Sequence, residues 1–144
     1  WPDIHPTAVP IGKLTHRLTG KDLTIVTYGR MIRVVENALE QMPAERIQGR
    51  IDLLDLRTIV PYDSEELIAS VRKTGSLLVV NEDSEQTNFG EHLLRVLSES
   101  TAPREAVLLA ARNLPGVGLA QPLENLTIPT ADRIARVVDQ MLHT

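Results

Sequence analysis

Histidines, carboxylates and glycine-bounded turns are the residues of this chain that could do chemistry. The four histidines are His5, His16, His92 and His143. They fall on an N-terminal arm, an expected edge strand, a helix and a last helical turn. No two share the spacing of a metal-binding pair, so surface or structural roles are expected for all four. Asp52 and Asp55 lie on one expected strand, an odd number of residues apart. Side chains alternate along a strand, so the two point to opposite faces and form no paired-carboxylate site. Asp55 sits at the carboxyl end of that strand, where open α/β sheets place ligands. It can serve a ligand there, pair with Arg57, or accept turn amides. Glu82 and Asp83 also follow a strand and could hold a cation, but nothing nearby completes an oxygen cage. A solvated acidic loop is the other reading. Tyr28-Gly29-Arg30 stands between a strand and a helix, where free amides can hold an anion. Neither a Walker pattern nor G-x-G-x-x-G accompanies it, and Gly29 reads as a tight turn. Gly116-Val117-Gly118 lies in a loop with no helix start beside it. G-x-S-x-G is absent, and no serine has a base near it in sequence. No catalytic, cofactor-binding or metal-binding residue is assigned.

The elements that position these residues alternate. Pro2, Pro6 and Pro10 make the first dozen residues an extended lead-in, and Val9 to Leu18 alternates loosely as an edge strand. Leu23 to Tyr28, rich in β-branched residues and ended by Gly29, reads as a strand. Met31, Val34, Val35, Ala38, Leu39 and Met42 have the spacing of an amphipathic helix, stopped by Pro43. Ile51 to Leu56 is a second strand. A helix then starts at Pro61-Tyr62-Asp63, with Asp63 as N-cap and Glu66 completing a capping-box pair. Leu67, Ile68 and Val71 give that helix its buried face, and Gly75 ends it. Ser76 to Asn81 is an apolar strand buried on both faces. A polar loop from Glu82 to Thr87 leads to a helix burying Leu93, Leu94 and Leu97. Ala106 to Ala110 is a fourth strand, and residues 112–129 form a loop. A last helix, capped by Thr130, buries Ile134, Val137, Val138, Met141 and Leu142. This alternation predicts an α/β class fold, a three-layer α/β/α domain with a mostly parallel sheet of about five strands. Residues 1–20 are read as lead-in and possible edge strand, and residues 21–144 as a single domain.

Composition excludes several function classes. A chain of 144 residues fits one domain that buries roughly two-thirds of its unfolded surface. The net charge of -4, with no Lys/Arg cluster, gives no footprint for nucleic acid. Cysteine is absent, which excludes disulfides and thiolate metal sites and is compatible with a reducing compartment. No apolar run approaches the ~20 residues of a membrane span, and no signal-peptide pattern opens the chain. One Phe, two Tyr and one Trp predict an aliphatic core. Trp1 in place of an initiator Met predicts a processed product or an excised piece of a longer subunit.

The stretch Asp55-Leu56-Arg57-Thr58-Ile59-Val60-Pro61-Tyr62-Asp63 resembles a signature in the C-terminal domain of thiamine-diphosphate-dependent 2-oxo acid dehydrogenase beta subunits, of the pyruvate and branched-chain type. Other blocks resemble the same domain in order: Pro10 to Lys13 with Gly20-Lys21-Asp22, Thr24 to Met31, Ser70 to Gly75 with Leu77 to Val80, Phe89-Gly90-Glu91, and Leu123-Glu124 with Pro129. The resemblance implies a transketolase C-terminal-like fold and structural roles for Gly29, Asp55, Arg57, Thr58, Pro61 and Asp63. It implies that thiamine diphosphate and Mg belong to the parent enzyme, between the alpha subunit and the beta N-terminal domain, and that this domain binds neither. The implied partners are alpha and beta subunits and the dihydrolipoyl acyltransferase. The parent would oxidatively decarboxylate a 2-oxo acid and pass the acyl group to lipoamide, in bacterial cytoplasm or the mitochondrial matrix.

The sequence also departs from that pattern. The acid that such domains carry before an Ala-Pro pair, for docking the acyltransferase, is Thr101 here, with Glu99 nearby. Gly118-Leu119-Ala120 replaces Pro-Tyr-Ala, and His92 stands where a small residue is usual. A transketolase or deoxyxylulose-phosphate synthase C-terminal domain is the second reading. A free-standing flavodoxin-like binding module is the third. The first reading predicts an exposed apolar patch on the free domain.

Overall fold

Short β-branched and aliphatic runs separated by amphipathic helices form one five-stranded sheet with helices on both faces. The computed structural model of the chain describes residues 10–114 and 126–143. In chain order the strands are β1 (Thr15–Leu18), β2 (Leu23–Thr27), β3 (Ile51–Asp55), β4 (Ser76–Ser84) and β5 (Glu105–Ala111). The helices are α1 (Met31–Glu40), the single turn α2 (Ala44–Ile47), α3 (Ser64–Thr74), α4 (Phe89–Thr101) and α5 (Ala131–His143). The strand order is β1-β3-β2-β4-β5. β2, β3, β4 and β5 run parallel, and β1 closes one edge antiparallel to β3. The expected three-layer, mostly parallel α/β architecture is therefore the observed one.

The two faces of the sheet have separate aliphatic cores. Leu23, Ile25, Leu53, Leu78 and Val80 pack under α1 and α5, through Met31, Val35, Ile134 and Val138. Val26, Leu54, Leu56, Leu77 and Val79 pack under α3 and α4, through Leu67, Val71, Leu93 and Leu97. The split follows from the period-two alternation of strand side chains. Gly20 is required by close approach: a Cβ there would stand 2.3 Å from the backbone nitrogen of Ile51. Only glycine lets the β1–β2 connection lie against the start of β3.

Several local expectations need correction. The edge strand is Thr15–Leu18, shorter than the looser alternation implied. Pro43 stops α1 but then opens α2, which apolar periodicity did not reveal. α3 begins at Ser64, directly after Asp63 at the expected N-cap position. β4 continues through Glu82, Asp83 and Ser84 because Ser84 pairs with Ala111 across a register shift. The acidic pair expected in a loop thus ends a strand. Asp63 holds the N-cap position without a side-chain cap bond. Its carboxylate lies 3.2 Å from Lys13 Nζ, so a cation from the lead-in takes the place of local amides. At α4 the corresponding pair does bond the helix start, with the glutamate reaching the amide of the residue before the cap. Asn88 Oδ1 accepts the Glu91 amide at 3.2 Å, and Glu91 Oε2 accepts the Thr87 amide at 2.7 Å.

One buried charge joins the layers. Asp52, fully buried on β3, faces α3. Its Oδ2 accepts from Ser70 Oγ at 2.5 Å and pairs with Lys73 Nζ at 2.6 Å. Its Oδ1 lies 3.2 Å from His16 Nδ1 on β1. The other ring nitrogen of His16 lies 3.0 Å from Glu66 Oε1 on α3. Thr24 on β2 extends the network to Ser70 and Thr74, each at 2.7 Å. Burial alone would raise the Asp52 pKa, but the bonds from Lys73, Ser70 and His16 outweigh it and hold the carboxyl below its ordinary value. Ser70 and Lys73 share the S-x-x-K spacing of some acyl-transfer enzymes. Here the hydroxyl is buried and both groups are committed to Asp52, so the pair is a fastening and not a nucleophile with its base.

Removing the Asp52 charge should leave Lys73 without its partner. Asp52→Asn is expected to lower the unfolding free energy at neutral pH by about 2–4 kcal/mol, somewhat under the full effect of a buried pair because Lys73 reaches solvent. A carboxyl with a depressed folded-state pKa contributes its stability above the unfolded value and loses it as pH falls. The difference between wild type and Asp52→Asn should therefore shrink below about pH 4. Urea denaturation at neutral and acidic pH measures both effects. An undiminished difference in acid would contradict the assignment.

Candidate functional site

The segment from Asp55 to Asp63 leaves β3 at the carboxyl end of the sheet, and side chains outside the strands fix its path. Asp55 Oδ1 accepts the Arg57 amide at 3.1 Å. This turn bond supports Arg57 in the left-handed region, with φ 60°. Arg57 Nη1 donates to Thr15 Oγ1 at 3.0 Å. Thr58 Oγ1 accepts the Gly12 amide at 3.1 Å. Asp63 pairs with Lys13. Gly12 also lies against the Pro61 ring, and the Val60–Pro61 peptide is cis. Four residues of the segment thus clamp the lead-in beside it. Gly29 makes the turn from β2 to α1 with φ 62°.

This clamp exposes an apolar surface. Val60 is 88% exposed, Ile11 79% and Ile59 40%. Beside them Pro61, Tyr62, Phe89 and His92 line an open groove of about 410 Å³. Its aromatic wall is ordered edge to face: Phe89 stands 5.4 Å from Tyr62 and 6.1 Å from Tyr28 between ring centroids, and stacks on His92 at 5.3 Å. Tyr62 Oη and His92 Nε2 are 3.1 Å apart. Tyr28 Oη donates to Asp83 Oδ2 at 3.0 Å. Burial, reinforced by that carboxylate, pushes the Tyr28 phenol well above its usual range, so the tyrosine acts as a neutral donor. The arrangement suits packing against another apolar surface.

The other candidate residues are dispersed. Glu82 pairs with Arg30. His143 belongs to a surface cluster with Asp139 and Arg46. Among the described residues no three His, Cys, Asp or Glu converge as metal ligands. Glu99 pairs with Arg95 at 3.2 Å on the exposed side of α4. Thr101 donates its hydroxyl to the Leu97 carbonyl at 2.6 Å. Both lie at the C-terminal end of α4, at the amino end of the sheet, opposite the apolar surface. His5, Gly116 to Ala120, Leu123 and Glu124 lie outside the described residues. Sequence reasoning passed over Tyr28, Tyr62 and Phe89 as a cluster, because they are brought together from three separate segments.

Comparison with known proteins gives the family. The family described as "Transketolase, C-terminal domain" matches residues 12–134. A pyruvate dehydrogenase E1 component subunit beta of Rhizobium meliloti is 34% identical over 141 residues, covering 96% of this chain and 29% of that protein. A 2-oxoisovalerate dehydrogenase subunit beta of Bacillus subtilis is 28% identical over 138 residues, covering 92% of this chain and 41% of that protein. A solved structure of a "Split gene transketolase, inactive beta4 tetramer" superposes with a TM-score of 0.81 at 28% identity, over 95% of this chain and 44% of that one. The chain thus spans less than half the length of these relatives. With its sheet order, its two-sided core and a match across most of its length, the chain belongs to the transketolase C-terminal domain family.

Proposed function

We propose that this chain is the non-catalytic assembly domain of a thiamine-diphosphate-dependent 2-oxo acid dehydrogenase. The parent enzyme would oxidatively decarboxylate a 2-oxo acid and transfer the acyl group to lipoamide. The observation that carries the reading is the exposed apolar surface of Ile11, Ile59 and Val60 beside the aromatic groove. Contiguous apolar surface at a rigid turn marks a contact site. The names of the relatives, as beta subunits of E1 components, support a multi-subunit parent, and so does the tetrameric state of the structural relative. A split transketolase is the second reading, favoured by that structural match alone.

The described residues do not fit the cofactor. They offer no converging ligands for a divalent ion, and the carboxyl-end groove is apolar and aromatic, unsuited to a diphosphate. In this reading thiamine diphosphate and Mg are held by other parts of the parent, and no chemical step passes through this chain.

The position that the resemblance matches to acyltransferase docking lies at the opposite end of the domain. Thr101 offers a hydroxyl already committed to its own helix, so this end of the domain lacks the charge-assisted contact that an acid would supply to an acyltransferase.

Two substitutions test the proposal. Val60→Asp should weaken subunit association of the native oligomer by about 10- to 100-fold, the equivalent of leaving a valine-sized contact unmade. Its melting temperature as a free chain should hardly change, because Val60 is solvent-exposed there. Unchanged sedimentation of the oligomer would overturn the assignment of this surface. Thr101→Glu should tighten acyltransferase binding and make it more sensitive to salt. If neither property moves in a calorimetric titration at two salt concentrations, the dock lies elsewhere.

A further inference from the structure

A cavity of about 510 Å³ opens where the edge strand β1 meets α1 and α2. The alternation of β1 accounts for it. His16 turns toward α3, where it meets Asp52 and Glu66. Arg17 is left to face α1, and its Nε donates to Glu36 Oε1 at 2.8 Å. A long side chain with its head in water covers the gap beside α1 without filling it. The floor beneath is aliphatic. Leu39 and Leu53 are 4% and 0% exposed, and Met42 and Ile47 stand beside them, half-buried.

Charge at the rim is one-sided. Glu36 and Glu40, one turn apart on α1, both line the cavity, and Arg17 is the single cation among its lining residues. Arg17 is committed to Glu36, with Nη2 at 2.7 Å from Oε1. The Glu40 carboxylate makes no ion pair or hydrogen bond among the described residues. It also stands in the last turn of α1, which holds no basic residue. The carbonyl end of a helix disfavours an anion, so a cation placed there relieves both the carboxylate and the helix. Two kinds of occupant can be weighed against these facts. An added strand would have to pair with the free edge of β1. That edge is four residues long and its register shifts at Arg17, features that oppose strand addition. A concave space of this volume, apolar below and acidic at the rim, has instead the size and make-up of a small-molecule site.

We infer that this cavity binds a small aliphatic ammonium compound, its carbon chain over Leu39 and Leu53 and its positive head at Glu40. Burial of the chain supplies the attraction, and the acidic rim selects the charge of the head. The cavity shares no residue with the proposed assembly surface and does not depend on that proposal.

The test is saturation-transfer NMR of the chain with n-hexylammonium chloride. Sodium n-hexanoate carries a similar carbon chain with the opposite charge, and methylammonium carries the same head without the chain. Saturable contact is expected for n-hexylammonium alone. Ala44→Phe, which fills the cavity from an exposed position on α2, should abolish it. Glu40→Gln should weaken it about threefold. Glu99→Gln, on α4 at the other face of the sheet, should leave it unchanged. Melting curves separate loss of binding from loss of fold, and the exposed change Glu40→Gln keeps the test decisive if Ala44→Phe does not fold. Absence of saturable contact by n-hexylammonium would overturn the inference. So would equal contact by n-hexanoate or methylammonium, or contact that both cavity variants leave intact. Contact on the free chain that the native oligomer lacks would also overturn it, and would give the cavity to a partner subunit.

Discussion

The buried carboxylate of Asp52 is the interaction on which the rest of the domain depends. It is a charge placed inside the interface between sheet and helix, and it is tolerable only because Ser70, Lys73 and His16 all reach it. Those partners come from α3 and from the edge strand β1, and Ser70 passes the network on to Thr24 of β2. An apolar contact at this point would permit α3 to slide along the sheet. A hydrogen-bonded charge has one satisfactory geometry, so it sets the register of α3 and pins a four-residue edge strand whose own ladder is short.

The position of β1 governs the surface at the carboxyl end. Immediately before it, the lead-in supplies the Gly12 amide to Thr58 and the Lys13 ammonium to Asp63, while Thr15 receives Arg57. The polar residues of the Arg57–Asp63 segment are thereby turned inward onto the lead-in. Their apolar neighbours Ile59 and Val60 are left facing out. The exposed patch is therefore a product of a polar clamp and not of loose packing. That is what a contact surface requires: apolar groups on a backbone that is already ordered before a partner arrives.

Much of the fold was legible because the strands are continuous aliphatic runs and the helices keep a clear three-to-four spacing. The two halves of the sheet core could be read from alternation alone. The errors came where partners distant in sequence displaced local ones. Asp63 with Glu66 and Asn88 with Glu91 are the same short pattern, but only in the second does the cap side chain accept the amide three residues on. Lys13 takes the first aspartate, and His16 takes Glu66. Neither lysine nor histidine is near that helix in sequence. Likewise Asp52 read as one face of an alternating strand, with no sign that histidine, serine and lysine from two other elements would surround it. The aromatic groove was hidden for the same reason, since Tyr28, Tyr62 and Phe89 each follow a different strand.

The central claim is that this carboxyl-end surface is covered when the parent enzyme assembles. Hydroxyl-radical footprinting of the native oligomer, compared with the free chain, measures it directly. Labelling of Ile11, Val60 and Tyr62 is expected to fall several-fold in the oligomer, while exposed residues on the outer side of α4, such as Arg95, label equally in both. Equal labelling of Val60 and Tyr62 in the two states would contradict the account and leave the patch without a partner.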